Sequence, residues 1–464
     1  MMNTKRRFEL FSFFDHTGIS THLEQMAWDG WMIEKITNFG WIYRKTEPKA
    51  IHFTVSYYPK ASEFDPEPSE EQKTFHEFCA HTGWKLACTS AQMQIFYNEQ
   101  DNPTPIETEP ELELASIHAT AKKTLIFSHL LLLGISFMQA GLFISSLLGD
   151  PIGLLASPSR LFVGFCALLL FLLCVTELGS YFLWYKKAKA AASHGEFLKT
   201  PNTTIFQRII VIAVLIGGFY WMINFILGGD SLRRFIVICM CIYMPALFLI
   251  VNGTKNYLKR KKVSKKVNFW ITMLVDFILA FSLMGIITFL ILSASSNGFF
   301  AEKDEETYEH NGITWILHND ELPLTLEDLT GLTYDEYIKE RRGDESLLLG
   351  QWTYKQHPRF DAKNYIDLPH LTYTAVYVKF PSLYDVCKKH ILEKEKEDYA
   401  LFGKEYKLID SGHWDALEVY QLHDSEFGFT EDYLLCYENL IVEISLSFEP
   451  KEDQQAIIRD QLTK

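Results

Sequence analysis

Five apolar runs between residues 124 and 293 constrain this chain more than anything else in it. A helix rises about 1.5 Å per residue, so about 20 apolar residues cover the ~30 Å hydrocarbon layer of a bilayer. Residues 124–148, 161–185, 209–227, 235–251 and 269–293 approach or meet that length; the fourth is short and holds Pro245. Inside hydrocarbon every backbone N–H and C=O must be satisfied within its own segment, so the runs predict helices. The expected fold class is a multi-pass α-helical membrane protein, a five-helix transmembrane region flanked by two α+β soluble domains.

Charge is segregated around these runs. Residues 1–123 carry 12 Lys/Arg against 18 Asp/Glu, residues 124–293 carry 15 against 5, and residues 294–464 carry 17 against 35. Short loops rich in Lys and Arg stay cytoplasmic. Lys122 and Lys123 precede the first run; the next loop holds only Arg160, the third has five basic residues, GDSLRR has two, and KNYLKRKKVSKK has seven. After the fifth run the chain turns acidic. The alternation predicts a cell-membrane protein with its N-terminus inside and its C-terminus outside, in contact with lipid. A tight loop between two spans accounts for KRKKVSKK without nucleic acid, and attraction to anionic headgroups is compatible with it. The N-terminal MMNTKRRFELFSFFD has a basic start, but Glu9 and Asp15 leave no apolar core for a signal peptide.

The first 98 residues read as a cytoplasmic α+β domain with an internal repeat. MAWDGW at 26–31 matches CAHTGW at 79–84, and at the same offset Ile33 meets Leu86, Ile42 meets Ile95 and Tyr43 meets Phe96. Ile19, Leu23, Met26 and Ala27 make the apolar stripe of one helix; Phe75, Phe78 and Cys79, behind a Ser69–Gln72 capping box, make the other. Gly30 and Gly83 fall where a helix stop wants positive φ, and a Trp follows each. Strands at Arg7–Phe14 and Ile51–Tyr58 lead into the two copies, which predicts strand-helix-strand-strand twice, on one sheet covered by two helices. Trp31 and Trp84 are expected to close helix onto sheet rather than to stack on a ligand. Residues 99–123 begin with an acidic, Pro-containing stretch that reads as a charged linker holding the domain off the bilayer.

Phe13-Phe14-Asp15, the helix end Leu23-x-x-Met26-Ala27-x-x-Gly30-Trp31, and Gly83-Trp84 resemble the N-terminal domain of an uncharacterised Bacillota membrane-protein family whose genes often neighbour PadR-type repressors. The likeness covers about the first quarter of the chain and rests on aromatic and glycine positions, not on chemistry. It implies a Gram-positive-type plasma membrane and a link to envelope-stress regulation. It implies no activity.

Residues 294–464 read as an extracytoplasmic α+β domain, with strands at Ile313–Leu317, Leu371–Phe380, Leu417–Leu422 and Leu440–Phe448 and helices at Ser382–Tyr399 and Lys451–Leu462. In an oxidising space Cys387 and Cys436 would be its two thiols, and a bridge closing about 50 residues would contribute around 4 kcal/mol on the chain-entropy model; two buried thiols are the alternative. Its seven histidines are irregularly spaced, so a metal site cannot be read from them.

Phosphate-loop, nucleophile-elbow and HExxH patterns do not occur, and no cofactor or catalytic residue is expected. Asn202-Thr-Thr and Asn252-Gly-Thr match the glycosylation pattern in loops assigned to the cytoplasm. One constellation does stand out. His129, Glu177 and Asp276 all lie about 10 Å inside the cytoplasmic boundary, the pattern of a proton or cation site, or of groups that reach headgroups and water. Two readings follow: a non-enzymatic envelope sensor or adaptor that couples an outer domain to a cytoplasmic domain docking a protein partner, and a small transporter or transporter subunit using the His/Glu/Asp layer. Oligomeric state and ligand are not legible.

Overall fold

A computed structural model describes residues 4–37, 39–228, 231–297, 307–310, 313–334, 336–362, 368–399 and 403–463. The chain divides into two compact units, Met1–Ala140 with Cys166–Asn297, and Gly141–Phe165 with Gly298–Lys464.

The first unit opens with the repeat. β1 (Thr4–Arg7), α1 (His16–Trp28), β2 (Trp31–Thr37) and β3 (Gly40–Lys45) are followed by β4 (His52–Tyr57), α2 (Glu70–His81), β5 (Lys85–Ser90) and β6 (Met93–Asn98). Each copy forms its own antiparallel three-stranded sheet, ordered β1-β3-β2 and β4-β6-β5, where a single sheet was expected. The likeness reaches the register. Ile33 faces Tyr43 and Lys35 faces Ile42, with Glu34 bulged out; Leu86 faces Phe96 and Cys88 faces Ile95, with Ala87 bulged out. A bulge reverses the alternation of faces, so its recurrence marks one backbone design used twice. Gly30 (φ 81°) and Gly83 (φ 88°) end the helices in the left-handed region.

Two local expectations are corrected. The first strand stops at Arg7, because Phe14 and Asp15 turn to other work: Asp15 caps α1 by accepting from the Gly18 N–H at 3.0 Å. Ser69 caps α2 by accepting from the Gln72 N–H, but the Gln72 side chain donates to Gln94 rather than closing the box.

The expected spacer is structured as well. α3 (Pro110–Ala121) buries Leu114, Ile117 and Ala121 in the same core as Phe14, Leu23 and Tyr43, so it docks the repeat domain instead of distancing it. Upstream, Trp84 Nε1 donates to the Thr104 carbonyl at 2.7 Å and Ser56 donates to Glu107 at 2.5 Å. A π-helical turn at Lys122–Ile126 joins α3 to α4 (Phe127–Gly149). After α5 (Pro151–Ala156) come α6 (Pro158–Ala192), α7 (Thr204–Gly228), α8 (Ser231–Arg260) and α9 (Lys265–Asn297). Among the described residues five helices are long and apolar enough to cross a membrane, and they contain the five runs read from the sequence. Pro245 sits inside α8 without ending it. Gly229 and Asp230 of the GDSLRR loop lie outside the described residues.

The second unit is built on a seven-stranded antiparallel sheet, ordered β12-β13-β14-β15-β11-β10-β9. Its strands are β9 (Tyr337–Glu345), β10 (Leu349–Pro358), β11 (Leu371–Val378), β12 (Lys404–Ile409), β13 (Glu418–Asp424), β14 (Gly428–Cys436) and β15 (Leu440–Leu446). A separate hairpin, β7 (Thr307–His310) and β8 (Ile313–Ile316), precedes them. One face carries Tyr373, Val442 and Ile444 and is closed by α10 (Leu326–Thr330) and α12 (Glu452–Leu462). The other carries Val376, Leu434 and Ile441, which pack against Cys387 and Ile391 of α11 (Tyr384–Tyr399) and Ile152 of α5. Cys387 and Cys436 share this core as free thiols, the second of the two alternatives read from the sequence; burial pushes each up to about 11. A thiol held protonated is a poor partner in exchange.

Candidate functional site

Loop 8–15 carries the phenylalanine pair and Asp15, and it is where the repeat domain meets α6 and α7. Phe14 is fully buried. Its ring lies 5.2 Å from Tyr181 in an edge-to-face contact and 5.5 Å from Trp184, both on α6. Phe13 packs 5.1 Å from Tyr57. Asp15 adds a second bond to its cap, accepting from the Thr200 hydroxyl, and the Thr17 hydroxyl meets the same threonine. Asp15, Met26, Gly30, Trp31, Gly83 and Trp84 therefore do structural work. Met26 and Trp84 are core side chains, and Trp31 borders the core under the Lys5 ammonium at 5.1 Å.

Beneath the aromatic contact lies a buried polar knot. Glu177, 4 % exposed, accepts from Ser12 Oγ at 2.9 Å, from Thr203 Oγ1 at 3.3 Å and from the Gln207 amide. Ser12 and Thr203 hydroxyls are 2.5 Å apart, and Gln207 also donates to Ser12 at 2.9 Å. Three donors converging on Oε1 of one buried side chain tie loop 8–15, α6 and the start of α7 to one point, and a buried polar group is tolerated when it is hydrogen-bonded. Alongside, the buried Glu9 side chain pairs with Arg7 at 3.0 Å, His22 at 3.2 Å and Arg208 of α7 at 3.8 Å. Burial holds His22 below its ordinary value, with Glu9 opposing.

The basic run is engaged too. Lys255 meets Glu63 at 2.9 Å, Lys262 meets Glu67 at 2.6 Å and Lys265 meets Asp65 at 3.9 Å, all from the acidic loop between β4 and α2. Buried Asn268 donates to the Phe64 carbonyl at 3.2 Å, and Phe64 packs edge-on against Phe269. Part of KNYLKRKKVSKK thus grips this chain's own N-terminal domain.

His129, Glu177 and Asp276 are not joined. His129 Nδ1 bonds the Leu125 carbonyl one turn back at 2.9 Å, Glu177 belongs to the knot, and Asp276 is exposed on α9. Among the described residues no hydrogen bond or ion pair links the three, and no three His, Cys, Asp or Glu side chains gather as a metal site. The space lined by His16, Glu113 and Trp184 is about 10 Å³, room for no more than a water. The geometry is mechanical: it fixes one element to another. Ser12, Thr200, Thr203 and Gln207 escaped sequence reading; the Thr-rich stretch 200–204 was their faint signal.

The profile of a family described as a protein of unknown function (DUF2812) matches residues 17–129, which cover the repeat domain, α3 and the start of α4. No curated protein and no solved structure matches the chain.

Proposed function

We propose that the chain is a non-enzymatic membrane transmitter, in which an extracytoplasmic C-terminal unit reports to a cytoplasmic repeat domain that docks a protein partner. One observation carries this reading. The single stretch from the π-helical turn through α4 and α5 to α6 supplies side chains to two cores: Leu125 of the turn and Tyr181, Trp184 and Ala188 of α6 to the first unit's, and Ile152, Leu154, Leu155 and Ala156 of α5 to the second's. A linker that only tethered two domains would bury nothing in either. A change that shifts α5 within its core is then felt along helices whose other ends are locked by Phe14, Ser12 and Glu177, and packed cores pass on such shifts because they deform poorly.

Hydrogen exchange tests the coupling. In full-length protein held in lipid nanodiscs, Leu154→Ala is expected to raise exchange in residues 8–17 and 198–207 as well as around α5. A rise confined to α5 and the C-terminal sheet would end the transmitter reading. Transport through a His129, Glu177 and Asp276 layer has less support, because among the described residues no hydrogen bond or ion pair links the three and Asp276 is exposed on α9.

A further inference from the structure

We propose that the C-terminal unit binds a small hydroxylated ammonium compound, of amino-sugar size, in a cavity on the polar half of one face of its sheet. The register defines the place. Thr374 lies opposite Glu443, and Thr372 opposite Ser445, across β11 and β15; Asp432 of β14 lies opposite Ser445 on the far side. Successive residues of a strand alternate faces, so these five share one face with Val376, Ile441 and Leu434. There the apolar half packs against α11 and α5, whereas the polar half lines a half-open cavity of about 260 Å³, completed by Tyr406 of β12.

An uncovered sheet face that merely met solvent would present exposed polar side chains. Here Thr372, Thr374, Tyr406, Asp432, Glu443 and Ser445 are all half-buried. Tyr406 donates to Glu443 at 3.4 Å and Thr430 donates to Asp432 at 2.9 Å. Among the described residues neither carboxylate makes an ion pair, although sheltering a charge is costly without one. Burial raises the Glu443 carboxyl above its ordinary range; Lys394 opposes the rise and Asp432 adds to it. Lys394 and His390 line a smaller space, about 60 Å³, on the other side of Glu443 and Thr374. An ammonium group entering the larger cavity would give the carboxylates the ion pair that Lys394 does not make, and hydroxyl groups would meet Thr372, Thr374 and Ser445. A divalent metal suits the place less well, since no third His, Cys, Asp or Glu among the described residues joins the two carboxylates. The volume lies near the lower end for small-molecule sites, about 300 Å³, which sets the ligand at one ring.

The site gives the sensor reading its signal and rests on that reading for its purpose, but not for binding. Calorimetric titration of full-length protein in nanodiscs at neutral pH uses D-glucosamine as probe, D-glucose as its uncharged counterpart and Ca²⁺ as the metal arm. Saturable glucosamine binding is expected, weakened about tenfold or more in both Glu443→Gln and Asp432→Asn, with glucose at least about tenfold weaker; about tenfold is 1.4 kcal/mol. Absence of glucosamine binding, indifference to both substitutions in protein of unchanged thermal midpoint, glucose binding equally well, or Ca²⁺ binding in place of the amine would each overturn the proposal. Binding without any change of exchange at residues 8–17 would leave the site standing and remove transmission.

Discussion

Glu177 shows why a buried carboxylate is read better from its partners than from its depth along a helix. Its Oε1 accepts from Ser12, Thr203 and Gln207, so Glu177→Ala strands buried donors and should cost about 1–3 kcal/mol, whereas Glu177→Gln keeps one acceptor oxygen and should cost less. Thermal midpoints in nanodiscs rank the two; equal midpoints for both variants and the parent would refute the knot. Beside it, His16 sits 3.4 Å from Glu113 and 6.0 Å from the Trp184 ring, with Asp15 next in sequence. Burial lowers its pKa from 6.5, and the Phe14 carbonyl and Asp15 oppose that shift. The unfolded chain therefore takes up this proton near pH 6.5 while the folded chain does not. His16's contribution to stability is whole above that pH, declines as pH falls below it, and levels off under the folded pKa. Glu113, which burial raises to about 7, titrates in the same window with the opposite sign, so the test is a difference: the thermal midpoint of the parent less that of His16→Gln should fall between about pH 7 and 5.5, and parallel curves would discount the imidazole.

At the scale of elements, α5 is six residues long yet buries Ile152, Leu154, Leu155 and Ala156. Asp150 caps it through the Gly153 N–H at 2.9 Å, and Ser346 donates to the Leu155 carbonyl at 2.6 Å. Leu154→Ala should cost the second unit about 2–5 kcal/mol, read as a lowered unfolding midpoint. No sequence signal marked this element: between two long apolar runs, a short apolar stretch reads as a loop, since periodicity needs about 11 residues to speak. The repeat, by contrast, was legible, because Gly30-Trp31 and Gly83-Trp84 are pinned by backbone conformation and their offset carries through both bulges. The knot was not, since Ser12 meets residues more than 160 positions away and nothing local distinguishes it. The contact between the acidic loop and the basic run lies in between: opposite charge was visible in each segment, their pairing was not. Its Lys262–Glu67 ion pair is exposed on both sides, so salt should loosen it. Exchange at residues 62–68 should quicken when ionic strength rises from about 0.05 to 0.5 M, and the paired swap Glu67→Lys with Lys262→Glu should restore what either single reversal loses. Exchange indifferent to salt would assign the docking to Asn268 and Phe269 alone.

For the whole molecule the decisive quantity is which unit gathers which loops. The stretches with five and seven basic residues, 186–208 and 255–266, both contribute to the first unit, through Thr200, Gln207, Lys255 and Lys262. The stretch with a single arginine, 149–160, belongs to the second, where Arg160 meets Asp150 at 3.5 Å. The two loops richest in Lys and Arg thus pack with the repeat domain, and the loop with one arginine packs with the C-terminal sheet; charge predicts that these loops lie on opposite sides of the bilayer. Native cysteines make poor reporters of sidedness. Cys79 and Cys88 are buried, and burial pushes both thiols up to about 12, leaving almost no thiolate to react. Single cysteines at exposed Glu47 and exposed Glu426 avoid that difficulty, with the parent chain as blank. A membrane-impermeant maleimide applied to intact cells should label Glu426→Cys and spare Glu47→Cys, which should react only after lysis. Labelling of Glu47→Cys on unbroken cells, or failure of Glu426→Cys to react until they are opened, would place the repeat domain outside or both units on one side, and a transmitter that crosses the bilayer an odd number of times would no longer be tenable.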